Sequence, residues 1–372
     1  MTTTSPELSQ NTSTPEAAAT PGGTSRTRLE EALLPSLVAL LVAAIVGDVL
    51  ILIFGQSPAA VFRLLLEGTW GNSYGFGQVL YKATTLTFTG LSIAFALRAG
   101  LFNIAAESQL AAGGFVAAIV GLLLPPGLPW IVTLPVYVAA SALGGGVVGG
   151  AAGQLKARFG AHEVITTIML NFIVLALLSY LTATYLKVPE TLHTKELESG
   201  ALPRLSDFFT SFHGSAANVV LVLAVIACVI AWWYLFRTRR GFELRAVGLQ
   251  PEAAEYGGVK PGAVWIRAMT ISGAIAGLGG LNFVLGYKHY YEEGFAGGAG
   301  FLGIAVALVG GTHPLGVMLA ALLFATISQG GLAVNAMVPK QFVEVLQAVV
   351  IIAVAVSVPE VQRLLRIQRT RG

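Results

Sequence analysis

The residues able to do chemistry in this 372-residue chain are few and scattered. No Gly-x-x-x-x-Gly-Lys-Ser/Thr run occurs, so no P-loop is present to cradle a nucleotide's phosphates. The five histidines, His162, His193, His213, His289 and His313, are far apart. None has the His-Glu-x-x-His spacing that sets two imidazoles on one helix face around zinc. No Gly-x-Ser-x-Gly elbow offers a nucleophile. The pattern therefore points to no catalysis and to no cofactor held by this chain. What stands out instead is polar side chains within apolar surroundings, which are costly in hydrocarbon. Asn103, Glu107 and Gln109 are the densest group, and Asn171 and Asn282 lie in other apolar runs. On a helix, Asn103 and Glu107, four apart, would share a face. Amides and a carboxylate can pair with a polar solute, and Phe102 or Phe172 can stack on its ring. The same groups can equally bond neighbouring helices to one another. Both alternatives stay open at this stage.

The elements that must position these residues follow from composition. Apolar residues make up 55% and charged residues 11%, against about 25% charge in a soluble domain. Mean hydropathy is +0.75. A soluble enzyme, a disordered chain and a disulfide scaffold are excluded, the last because Cys228 is the single cysteine. A β-barrel needs alternating strands of about ten residues, and this chain has unbroken apolar runs. An all-α polytopic membrane protein remains. Residues 1–30, rich in Ser, Thr, Pro and Gly, read as a disordered tail and not a signal peptide. Ten spans are expected, at 33–54, 80–97, 105–124, 130–152, 164–186, 217–236, 268–287, 300–311, 316–332 and 342–358. The eighth is too short to cross as a plain helix. The membrane domain is thus 31–360, and 361–372 is a basic tail.

Sidedness comes from lysine and arginine. With the N-terminal tail in the cytoplasm and ten alternating spans, 15 of the 22 Lys and Arg fall inside. The inverse arrangement violates the positive-inside rule, so both termini are expected in the cytoplasm. The net charge of +3 then reflects a sided distribution and implies no nucleic-acid partner. Lys82 is expected to snorkel. The outside loop 187–216 leans acidic and can meet an external partner. The inside loop 237–267 starts basic and continues Arg245-Ala-Val-Gly-Leu-Gln-Pro-Glu-Ala-Ala-Glu-Tyr-Gly-Gly. Pro251 and Glu252 mark a helix start, and Gly257 with Gly258 a stop, which gives a helix of about two turns. Gly145 with Gly149, Gly146 with Gly150, and Gly273 with Gly277 are small-x-x-x-small pairs that let helices approach closely. Similar openings before spans 3 and 8, and before spans 5 and 10, suggest an inverted five-plus-five repeat.

The stretches 89–109, 156–171, 237–258 and 303–316 resemble permease subunits of bacterial ABC importers of the branched-chain amino acid, ribose and nucleoside group. They are most similar to the larger permease of nucleoside or simple-sugar uptake systems, and the resemblance covers roughly residues 35–358. It implies that 237–267 docks in a groove of a separate ATPase, which holds ATP and Mg. Arg245, Gly248, Pro251, Glu252, Ala253, Ala254 and Gly257 are the coupling residues it implies. It also implies a second permease, in a heterodimer, and an extracytoplasmic substrate-binding lipoprotein. The chain departs from the family pattern at Ala105 and Ser108, where Gly is usual, and at Gln250, where Asn is usual. The solute path would then run past Asn103, Glu107, Gln109, Asn171 and Asn282. A secondary transporter carrying ions on Glu107 and Glu293 is the competing reading.

Overall fold

Among the described residues of the computed structural model, seven helices are long and apolar enough to cross a membrane. The structure describes residues 41–353, apart from 43, 340, 342 and 343. The tails 1–30 and 361–372, and the outer parts of spans 33–54 and 342–358, lie outside the described residues. The seven are α3 (Ser73–Leu97), α4 (Ala106–Leu123), α5 (Trp130–Phe159), α6 (Glu163–Leu181, continued by a π-turn to Leu186), α7 (Val220–Arg237), α10 (Pro261–Leu278, continued irregularly to Lys288) and α12 (Pro314–Ala333). They correspond to seven of the ten expected spans. The other three are described only in part or are short. Among the described residues, α1 (Ala44–Ile53) bends by 114° into α2 (Pro58–Thr69), and the two pass as a span when taken together. The break has a local cause: Gly55 takes φ +71°, and Pro58 opens α2. α2 itself was not expected, because Arg63 and Glu67 interrupt its apolar run; they pair on its exposed face. α11 (Ala299–Val309) is a shorter apolar helix, and α13 (Glu344–Ala353) is the described part of the expected span 342–358.

Boundaries also move. α3 starts at Ser73 because Asn72 caps it, its Oδ1 accepting the Gly75 N–H at 2.6 Å. α5 runs on to Phe159 and stops at Gly160, φ +65°. Loop 237–267 is largely helical. It holds α8 (Arg239–Leu249), α9 (Pro251–Tyr256) and the start of α10. Pro251 is the first residue of α9, and Gly258, at φ +82°, takes the left-handed turn beyond it.

α3, α4 and α10 are the most enclosed helices. α6 and α7 turn exposed apolar side chains outward, among them Ile165, Met169, Phe172, Val229 and Trp233, as lipid-facing helices do. Two of the three expected glycine pairs meet, Gly145 with Gly149 against Gly273 with Gly277: a β-carbon on Gly145 would sit 2.8 Å from the Gly277 Cα. α5 and α10 therefore touch backbone to backbone. Gly146, one residue on, has ordinary space, its nearest neighbour at 3.5 Å. Gly145→Ala should destabilise the purified permease by about 1–3 kcal/mol through overpacking, while Gly146→Ala leaves its melting temperature unchanged. Thermal unfolding in detergent, followed by gel filtration, reads the difference; equal melting temperatures would refute the close approach.

α11 has 11 residues, about 16 Å at 1.5 Å per residue, or half of a hydrocarbon core of about 30 Å. The segment before it starts at one end of the bundle, where Leu197 N–H bonds the His289 carbonyl at 2.7 Å and Thr194 N–H bonds the Tyr291 carbonyl at 2.9 Å. It reaches the middle, where the Thr89 hydroxyl of α3 bonds the Ala299 carbonyl at 3.0 Å. From there α11 runs to the arginine-rich end. Where the eighth span was expected, the structure thus has a non-helical approach followed by an 11-residue helix.

Candidate functional site

A cavity of about 700 Å³ opens beside the N-terminus of α11. α3 gives it Tyr81, Lys82 and Thr85; the approach segment gives Phe295 to Gly298; α11 gives Ala299, Phe301 and Leu302. Phe283, Ser328, Glu344 and Gln347 complete the polar and aromatic part of the wall. Lys82 donates to Ser328 Oγ at 3.2 Å within this wall. Phe283 and Phe295 stack, with centroids 4.8 Å apart. Phe301 is 47% exposed and offers a ring to whatever enters. Volume, aromatic surface and a few polar groups fit a small ring-bearing polar solute.

None of the five polar residues singled out from sequence lines this cavity. All are buried and bonded within the protein. Asn103 is not on a helix face with Glu107: residues 101–104 have no regular structure and α4 starts at Ala106. Its Nδ2 donates to Ser272 Oγ and to Gln109 Oε1, both at 2.8 Å, and Gln109 Nε2 returns a bond to its Oδ1 at 3.1 Å. Asn171 Oδ1 accepts the Ser108 N–H at 2.8 Å, so α6 caps the first turn of α4. Glu107 accepts the N–H groups of Gly298 at 2.7 Å and Gly300 at 2.6 Å. It thereby caps α11 from another helix. Asn282 Nδ2 donates to the Tyr81 carbonyl at 2.9 Å and to Thr85 Oγ1 at 2.8 Å. Glu107 and Asn282 therefore sit one step behind the cavity wall and hold it. Phe172 points away from the cavity, 64% exposed, and Phe102 is half-buried in the irregular segment.

Removing the Asn103 amide leaves Gln109 and Ser272 short of partners. Asn103→Ala should cost about 1–3 kcal/mol of stability. Thermal unfolding of the purified variant checks this, and an unchanged melting temperature would count against the network.

The arginine-rich end carries a second constellation. Arg245 of α8 and Arg98 lie over the ring of Phe236, at 5.2 and 5.5 Å from its centroid. His313 stacks on the same ring at 5.5 Å. Burial and the neighbouring Arg98 push the His313 imidazole below its usual range. Its Nδ1 accepts the Leu315 N–H at 3.3 Å, capping α12. On α9, Ala253 and Glu252 are exposed. Ala254 is not part of that face: it is 8% exposed and packs inward with Leu244, Val247 and Val264. Leu249, two residues before α9, and Tyr256, its last residue, are 89% and 95% exposed. Gly248 faces inward onto residues 98–100.

Comparison with known proteins decides the family. The family model described as branched-chain amino acid transport system / permease component matches residues 75–355. The chain belongs to this permease family. The guanosine ABC transporter permease protein NupP of Bacillus subtilis is 36% identical over 338 residues, covering 89% of this chain and 94% of that protein. The nucleoside ABC transporter permease protein NupB of Lactococcus lactis is 34% identical over 328 residues, covering 86% and 90%. A glucose ABC transporter permease protein of Haloferax volcanii is 30% identical over 328 residues, covering 85% of each. No solved structure matches the chain. As a permease component it is a transport subunit and not an enzyme; hydrolysis of ATP belongs to a separate subunit.

The cavity of the permease was not legible from the sequence. Lys82 and Ser328 are 246 residues apart, and Lys82 sits among apolar neighbours that read as ordinary span. A lysine and a serine aligned with aromatic residues in separate spans were the one signal available.

Proposed function

We propose that this permease carries nucleosides into the bacterial cytoplasm, across the inner membrane, as one half of a heterodimeric ABC importer. The cavity at the N-terminus of α11 carries this reading: it combines ring faces, donors and acceptors in a volume that a nucleoside fits. The names of the guanosine and nucleoside relatives support it. The cavity wall, with Tyr81, Lys82, Thr85, Phe301 and Ser328, meets the solute. Asn103, Glu107, Gln109, Asn171 and Asn282 shape that wall from behind. α8 and α9 dock on the ATPase, which binds ATP and Mg. Arg245, Gly248 and Pro251 set the docking unit against the bundle, Gly257 ends α9, and Glu252 and Ala253 face the partner while Ala254 seats the helix. A second permease and an extracytoplasmic substrate-binding lipoprotein complete the assembly, the lipoprotein meeting the loop 187–219. Ten passages in an inverted five-plus-five order, with α11 and its approach as the eighth, place both termini in the cytoplasm.

The test is uptake by the full complex in proteoliposomes, with its binding protein and ATP inside or outside as orientation requires. Labelled guanosine, uridine and glucose are compared. ATP-dependent accumulation of the nucleosides supports the reading. Accumulation of glucose alone moves it to the sugar alternative, which the Haloferax relative represents.

A further inference from the structure

Residues 98–107 hold both ends of α11. At the C-terminal end, Arg98 Nε donates to the Thr312 carbonyl at 3.1 Å and its Nη2 to Gly311 at 3.5 Å. At the N-terminal end, the two oxygens of Glu107 take the amides of Gly298 and Gly300. A cation thus meets the negative end of the helix dipole and an anion the positive end. The half-helix is gripped between two charges that one ten-residue segment supplies.

The docking unit touches that same segment. A β-carbon on Gly248, at the end of α8, would lie 2.9 Å from the Ala99 carbonyl carbon. One on Gly100, which has φ +72°, would lie 3.2 Å from the Gly248 Cα. The two segments are in backbone contact with no side chain between them. Arg245 of α8 and Arg98 also share the ring of Phe236. A second tie arrives through α10, which follows α9 in the chain: its Ser272 hydroxyl accepts from Asn103. Close-packed backbones transmit displacement because they cannot compress.

We propose that residues 98–107 are a clasp that carries movement of α8 and α9 to α11, and through Gly298, Ala299 and Leu302 to the cavity wall. Arg98, Gly248 and Glu107 are positioning residues in this device. The inference rests on the ATPase-docking reading of α8 and α9, but not on the identity of the solute.

The test uses the full complex in nanodiscs, with Cys228→Ser as background and Leu302→Cys as reporter. A water-soluble maleimide labels the reporter with and without trapped ATP. The ratio of the two labelling rates should differ from one by at least about fivefold, the low end of usual coupling strengths. Glu107→Gln, which turns one acceptor into a donor facing an amide, should bring the ratio to one. Basal ATP hydrolysis and co-purification of the ATPase should persist. Gly248→Ala, which pushes the segment away without touching α11, should act in the same direction. A wild-type ratio kept by both variants overturns the clasp. Loss of assembly in both overturns it too, because these residues would then only hold the fold. A ratio of one in the unaltered complex overturns the docking reading along with it. Failure of nucleoside uptake leaves the ratio unaffected, so the two failures are distinguishable.

Discussion

Ala253→Arg should abolish uptake, with a fall of at least about tenfold, while the permease still inserts and folds. The outer face at α9 is mixed: Leu249 and Tyr256 are 89% and 95% exposed, Ala253 is exposed beside them, and Glu252 and Glu255 add two carboxylates. Large apolar side chains that open to water mark a contact surface, and small ones between them let a partner approach closely. A guanidinium placed there must be buried without a partner when the ATPase docks. Groups of that kind cost several kcal/mol, and each 1.4 kcal/mol is about a factor of ten in association. Ala254→Arg should fail differently. Its position is packed among Leu244, Val247 and Val264, so the variant should lose its monodisperse gel-filtration peak and not merely its partner. Co-purification of the ATPase and proteoliposome uptake separate the two. Full uptake by Ala253→Arg would remove α9 from the docking surface.

The contrast between these neighbouring alanines shows where a sequence stops being readable. Pro251, Glu252 and the glycine pair place a two-turn helix at 251–256, and α9 is there. Its rotation is another matter, since six residues give too little periodicity to choose an inner face. Only the contact with α8 and α10 decides it. The long apolar runs were legible for the same reason that short ones were not: seven helices follow from length and hydropathy, whereas residues 98–105 have the composition of a helix and leave helical geometry at Gly100, φ +72°. The step back to α4 removes Asn103 from the face it would have shared with Glu107. The glycine pairs of α5 and α10 could be read because each lies on one helix at one spacing. The partners of Glu107 could not, being 191 and 193 residues away. Buried amides and carboxylates announced themselves as costly, and the sequence left open what they bind. In the folded chain they bind it.

Phe301→Ala should weaken transport of nucleosides far more than transport of a simple sugar. The ring stands in the first turn of α11, on the cavity wall and 47% exposed. A nucleobase presents two apolar faces, and stacking one on an aromatic side chain contributes about 1–3 kcal/mol by alanine substitution. That converts to about a five- to 150-fold loss, since 1.4 kcal/mol is tenfold. Glucose has no base to stack and loses only the packing of its ring edges. Phe301→Tyr keeps the face and should keep the rate. Phe283 and Phe295 make a poorer test, because they stack on one another and their removal disturbs the wall. The measurement is the uptake rate at saturating binding protein for guanosine, uridine and glucose, with ATP hydrolysis recorded alongside. An equal loss for nucleoside and sugar would mean that Phe301 shapes the cavity without reading a base. Solute contact would then rest on Lys82, Thr85 and Ser328, whose polar atoms would meet the hydroxyls that both solutes share and so would not tell them apart.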